Sequence, residues 1–236
     1  MSGADDRLPA GPARAEVDAF LRQVAATPAR RADGRRGRLI FALDATQSRE
    51  PTWDRACRLQ GEMFLETEAL GGLDLQLVFY RGFGECKATG WISQSAELAR
   101  IMTKVQCRAG ETQLARVLLH AATEAGRSQV DALVFVGDAF EESLDRVAAR
   151  AGELALRGVP AFLFHEGHDP IAAQAFREIA RLTRGAYCPF DVTSPGQLRD
   201  LLAAVAVYAA GGRAALEDLG RRRGAAVTAL IGRLGG

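Results

Sequence analysis

The feature that most constrains this chain is an alternation that starts at Arg38, where apolar runs of strand length take turns with amphipathic segments of helix length. Repeated β-α-β units of this kind close around a mostly parallel sheet with helices on its faces. The run DALVFVG at 131–137 lacks the every-second-residue polar break of a half-exposed strand, which fits a strand covered on both sides. The pattern predicts strands at 38–43, 73–81, 131–137, 159–165 and 186–190, with a short edge strand at 85–92. Helices are predicted at 52–70, ended by Gly71-Gly72, and at 95–104, 112–124, 143–156, 170–182 and 195–210. The expected fold is α/β, with about six strands in a mostly parallel central sheet flanked by helices.

Both ends extend beyond this core. Val17, Phe20, Leu21 and Val24 lie at helical spacing within 14–26, before the breaker Pro28, and that helix is expected to pack on the main domain. The Arg/Gly-rich stretch 28–38 is aperiodic and reads as a solvated linker. The resulting division is 1–37 for the helix and linker, 38–210 for the main domain and 211–236 for a helical tail. Packing of that tail on its own domain and docking on a partner or second copy both fit, so the oligomeric state stays open.

Composition narrows the function classes. With 30 Lys plus Arg against 29 Asp plus Glu, the chain lacks the positive surplus of a bulk nucleic-acid or anionic-membrane binder. Cys57, Cys86, Cys107 and Cys188 form no C-x-x-C pair, which argues against a zinc knuckle or a disulfide scaffold and fits a reducing compartment. The polar N-terminus lacks the apolar core of a secretory leader, and the longest apolar run, 201–210, is too short to span a bilayer. A cytoplasmic protein with neither nucleic-acid nor membrane partners is expected.

Ligands of open parallel sheets bind outside the carboxyl ends of the strands. Three polar groups are predicted there: Asp44-Ala45-Thr46-Gln47-Ser48 after the first strand, Ala109-Gly110-Glu111-Thr112 before a helix, and Asp138 after DALVFVG. Two carboxylates and three hydroxyls form an oxygen-only donor set of the type hard cations prefer. Taken singly, each has a structural reading: Ser48 and Thr112 suit helix N-caps, and Glu141 and Glu142 suit the N-terminus of the helix that follows them.

In this order, strand-D-x-T-x-S, a distant Thr after a Gly-containing loop, then strand-Asp, the chain resembles the von Willebrand factor A domain over roughly residues 36–210. The resemblance implies a Rossmann-like three-layer sandwich. It implies a metal-ion-dependent adhesion site at Asp44, Thr46, Ser48, Thr112 and Asp138 that holds Mg²⁺ or Mn²⁺. The implied function is divalent-cation-dependent binding of a protein partner, whose Asp or Glu completes the coordination, by a scaffold without catalysis. Intracellular bacterial members implied by the resemblance act with AAA-type ATPases or stress-cluster proteins. Two positions depart from the commonest pattern. Thr46 replaces a serine and keeps the hydroxyl, while Glu111 replaces a glycine and is expected to strengthen cation binding or to occupy the site. Arg49 is placed to orient an acidic partner.

The rival enzyme reading is a Mg²⁺-dependent phosphatase of the haloacid dehalogenase type with Asp44 as nucleophile. It lacks the usual second aspartate, replaced by Thr46, and depends on Lys104 as its phosphate-side lysine. His165-Glu166-Gly167-His168 does not have H-E-x-x-H spacing, and His120 reads as a partly buried structural histidine.

Overall fold

The computed structural model describes residues 12–27, 36–50, 72–190, 200–212, 215 and 218–219. The expected helix at 52–70, most of the linker and nearly all of the tail lie outside them. Helix α1 spans Pro12–Ala26, and strand β1 spans Gly37–Asp44 and leads into a 3₁₀ turn at Gln47–Arg49. Then come β2 (Leu73–Arg81), β3 (Glu85–Ala88), α2 (Ser95–Met102) and α3 (Leu114–Arg127). The chain continues through β4 (Ala132–Gly137), α4 (Leu144–Leu156), β5 (Ala161–Glu166), α5 (Pro170–Leu182) and β6 (Ala186–Phe190) to α6 at 200–212.

The six strands form one sheet in the order β3-β2-β1-β4-β5-β6, parallel throughout except for the antiparallel edge strand β3. Strand order reverses between β1 and β4, which makes their carboxyl ends the switch point where such sheets bind ligands. Alternation along β1 sends Leu39, Phe41 and Leu43 to one face with α1, α2 and α6, and Ile40 and Ala42 to the other with α3, α4 and α5. Both faces are therefore buried, as the unbroken apolar runs required.

The N-terminal helix is part of this core. Phe20 and Val24 are buried, and the Phe20 ring lies 6.1 and 5.2 Å from Phe162 and Phe164 of β5. Phe162 in turn meets Tyr208 of α6 at 5.7 Å. Residues 201–209 are buried on every side, so α6 has no solvent face, consistent with its all-round apolar sequence.

Several predicted bounds shift: α2 stops at Met102 rather than 104, and β5 runs Ala161–Glu166 rather than 159–165. Strand β3 stops at Ala88 rather than 92: Thr89 uses its hydroxyl to accept from Leu77 N–H at 3.1 Å, and pairing resumes only as an isolated bridge between Leu75 and Ile92. Helix α3 begins at Leu114, not 112, which leaves Thr112 in the loop. At the start of α5, Asp169 caps the helix by accepting from Ile171 N–H and Ala172 N–H, with Pro170 in the first turn.

Candidate metal centre

Asp44 is the last residue of β1, and by strand alternation it shares the face of Ile40 and Ala42. Its neighbour across the ladder is Tyr80 of β2, also buried. Past the strand end the chain tightens. Thr46 N–H donates to Asp44 Oδ1 at 2.7 Å, and the Thr46 and Ser48 hydroxyls lie 3.1 Å apart. The carboxylate and the two hydroxyls are thus gathered by backbone that the D-x-T-x-S spacing alone supplies.

The second loop is fastened to the first. Arg108 N–H donates to Ala45 O at 3.1 Å, and Thr46 and Arg108 form a parallel bridge. On its other side the loop rests on the β2–β3 turn. A Cβ on Gly110 would lie 2.3 Å from Gly82 O and 2.4 Å from Gly82 N, so only glycine allows this approach. Gln113 Nε2 donates to Gly82 O at 3.0 Å. Thr112 is thereby held, 5% exposed, opposite the D-x-T-x-S loop.

The third element is the end of β4, where Asp138 follows Gly137. All five predicted residues, Asp44, Thr46, Ser48, Thr112 and Asp138, line one cleft of about 310 Å³. Neither Ser48 nor Thr112 is a helix N-cap. Ser48 lies inside the 3₁₀ turn, and Gln113 occupies the cap position of α3 without a side-chain cap bond.

A third carboxylate also lines this cleft, and local sequence reading assigned it elsewhere. Glu141 and Glu142 do not serve the N-terminus of the helix that follows them. Glu141 Oε2 accepts from Thr112 N–H at 3.0 Å and from the Thr112 hydroxyl, while Glu142 accepts from Ala115 N–H at 3.2 Å and so caps α3. The Thr112 hydroxyl has one proton, given to Glu141 or to Ala139 O, which is 3.2 Å away. Both of its lone pairs are left free to accept. Glu111, expected near the ion, lines a neighbouring hollow with Arg116 and Arg146.

The electrostatics of the cleft call for positive charge. Burial pushes the Asp44 carboxyl up to about 6; hydrogen bonds from Thr46 oppose the shift, and the charge of Asp138 adds to it. The Tyr80 hydroxyl has no partner at good hydrogen-bond geometry, yet it adds a small lowering influence on Asp44. Asp138 Oδ1 is buried with no hydrogen-bond partner. Buried carboxylate oxygens without donors are costly unless a charge compensates them. A divalent cation with a preference for oxygen ligands fits both the orphaned oxygen and the mixed carboxylate-hydroxyl donor set. Among the described residues no three His, Cys, Asp or Glu side chains stand close enough together to hold a metal ion by themselves, so a cation here would depend on the hydroxyls as well.

Other predicted features lie elsewhere. No lysine is among the cleft's lining residues, so Lys104 does not supply the phosphate-side cation of the phosphatase reading. His165 and Glu166 both belong to β5, followed by Gly167 at φ 92°, and His165 Nδ1 pairs with the Tyr187 hydroxyl at 3.0 Å. His120 pairs with Gln76 Oε1 at 2.8 Å. The Arg49 side chain and Cys57 lie outside the described residues.

No family model matches the chain, and no curated protein matches it. Solved structures do. A von Willebrand factor type A protein from Catenulispora acidiphila superposes with a TM-score of 0.57 at 16% identity, over 72% of this chain and 42% of that one. The SpRpn10 VWA domain gives 0.58 at 13% identity, over 71% of this chain and 94% of the domain. The pilus adhesin SpaC from Lactobacillus rhamnosus GG gives 0.59 at 9% identity, over 76% of this chain and 30% of that one. The chain thus spans well under half the length of the first and last of these. It has a von Willebrand factor A-like α/β fold, the architecture the motif order implied. At these identities the likeness is one of fold.

Proposed function

We propose that this domain is a divalent-cation-dependent protein-binding module. In this reading Asp44, Thr46, Ser48, Thr112 and Asp138 hold Mg²⁺ or Mn²⁺, and an acidic residue of a protein partner completes the site. The observation that carries the reading is the convergence of three sequence-distant segments on one cleft at the sheet's switch point, with a buried Asp138 oxygen left unpartnered. When bound, the cation supplies a positive centre that accepts an incoming carboxylate. The chain's own residues do the rest. Asp44 anchors the first loop through Thr46 N–H, Glu141 fixes the Thr112 hydroxyl, and the Gly110–Gly82 contact sets the distance between loops.

A binding role is also supported by what lines the cleft. It offers carboxylates, hydroxyls and an amide but no lysine, histidine or cysteine, so nothing stands beside the hydroxyls as a base except the carboxylates. The kinds of partner the resemblance implies, AAA-type ATPases and stress-cluster proteins, belong to this proposal. Calorimetric titration of Mg²⁺ and Mn²⁺ into the full chain tests it. Wild type is expected to bind one ion, and Asp138→Ala to lose at least about tenfold in affinity. Identical, heatless titrations of both proteins would sink the reading.

A further inference from the structure

The metal cleft is an acidic pit, yet the surface beside it is basic and carries an exposed aromatic ring. The turn between β2 and β3 ends on Phe83, which is 81% exposed and adds nothing to the core. The turn is firmly held. Gly82 packs against Gly110, its carbonyl accepts from Gln113 Nε2, and the Gly84 carbonyl accepts from the Arg116 guanidinium. Gly82 at φ 60° and Gly84 at φ 152° permit the reversal that presents the ring. A turn whose backbone is already held loses little backbone freedom when something covers its tip.

Charge surrounds this ring. Glu85 is shared by Arg81 at 2.9 Å, Lys87 at 2.8 Å and Arg108 at 3.8 Å, so one carboxylate faces three cations. Lys87 and Arg108 are 61% and 60% exposed, which leaves their surplus charge facing solvent. On the other side of Phe83 lies a hollow of about 170 Å³ lined by Glu111, Thr112, Arg116, Glu142 and Arg146. Glu142 is committed to the N-terminus of α3. Thr112 lines both this hollow and the metal cleft, so the two are neighbours.

An acidic pit in a basic rim is a consistent pair of devices. The pit's carboxylates repel an acidic partner until a cation neutralises them, while the rim attracts it from a distance. Resting on the cation-binding reading above, we propose that the rim is a docking surface for an acidic peptide segment of another protein. One carboxylate of that segment goes to the cation, a neighbouring apolar side chain covers Phe83, a second carboxylate lies beside Arg116 and Arg146 in the hollow, and Arg108 on the ring's other side adds long-range attraction. A nucleic-acid chain is disfavoured because Glu85, Glu111 and the pit's carboxylates break up the continuous positive track that its regularly spaced phosphates need, whereas a peptide can space its carboxylates to meet separate cations.

Labelled octapeptides alternating Glu with Leu, Gln with Leu and Glu with Gly, together with a decathymidylate, are the probes. They are titrated by fluorescence anisotropy with the full chain in Mn²⁺ and in EDTA. The Glu-Leu peptide is expected to bind about tenfold more tightly than either control peptide, and Phe83→Ala and the Arg108→Glu/Arg146→Glu double variant each to lose about tenfold. Because Phe83 is so exposed, its loss leaves the fold intact. Unchanged binding by both rim variants overturns the proposal, as does tighter binding of the decathymidylate or no binding of any peptide. Binding lost in the rim variants but indifferent to EDTA and to Asp138→Ala supports the rim and removes the cation reading. Binding lost in EDTA but untouched by the rim variants does the reverse.

Discussion

Asp44→Asn is expected to stabilise the metal-free protein at pH 7 while abolishing its Mg²⁺ binding. Asp44 is 2% exposed, and burial lifts its carboxyl from 3.8 to about 6. Between those values the folded chain holds a proton that the unfolded chain has released, so stability falls as pH rises through that window. Above about pH 6 the full penalty applies, at most about 3 kcal/mol for a shift of roughly two units. Asparagine cannot ionise, and its Oδ1 still accepts from Thr46 N–H, so the variant avoids the penalty and keeps the turn. Thermal unfolding in EDTA from pH 4 to 7 is expected to show wild type losing stability relative to Asp44→Asn, with most of the loss complete by pH 6. Adding Mg²⁺ at pH 7 is expected to raise the melting temperature of wild type only, because a cation bound to the native state stabilises it by mass action. A variant less stable than wild type at pH 7 in EDTA would show that the carboxylate is not strained in the folded state.

Gly110→Ala carries the other large effect. The added methyl would lie 2.3 to 2.6 Å from the oxygen, nitrogen and carbonyl carbon of Gly82. These are backbone atoms and cannot turn aside as a side chain end would. Relief requires the 108–112 loop to lift from the β2–β3 turn, at a cost of about 1–3 kcal/mol, as overpacked sites show. Lifting that loop moves Thr112 away from the D-x-T-x-S segment, so Mn²⁺ affinity is expected to fall by at least about tenfold. Titration calorimetry and thermal unfolding on the same preparation separate the two readouts. Wild-type affinity and melting temperature in the variant would mean that the close approach of the two loops does not set the site.

Much of the site was legible because its pieces are local. D-x-T-x-S places three oxygens within five residues, and an acid directly after an apolar run falls at a sheet edge in any parallel α/β fold. Strand order was not readable from the chain: the alternation called for a mostly parallel sheet but left open which strands are neighbours. The two glutamates after Asp138 show where local reading stops. Glu141-Glu142 precedes a helix and has the composition of a helix start, but its bonds run 27 and 29 residues back along the chain to Ala115 and Thr112. Capping across elements leaves no mark in local spacing. Glu111 shows the converse: it is adjacent to Thr112 in sequence, yet it lines only the neighbouring hollow while Thr112 reaches both the hollow and the cleft. A sharper signal for Glu141 was present in the cost of leaving Thr112 N–H and its hydroxyl without acceptors once Gly110 had pinned the loop.

The edge strand and the N-terminal helix failed and succeeded for tertiary reasons. β3 ends early because the Thr89 hydroxyl takes the Leu77 amide that a continued strand would have paired. Phe20 and Val24 were recognisable as an apolar stripe, and Phe162 and Phe164 of β5 supply the surface that receives them. Neither partner is visible in its own segment.

The most direct test of the central claim is anomalous diffraction from crystals of the full chain grown with Mn²⁺. A single strong manganese peak is expected in the cleft, within coordination reach of side-chain oxygens from Asp44, Thr46, Ser48, Thr112 and Asp138, directly or through water. A peak bound elsewhere, or a cleft without manganese at concentrations that saturate the solution titration, would contradict it.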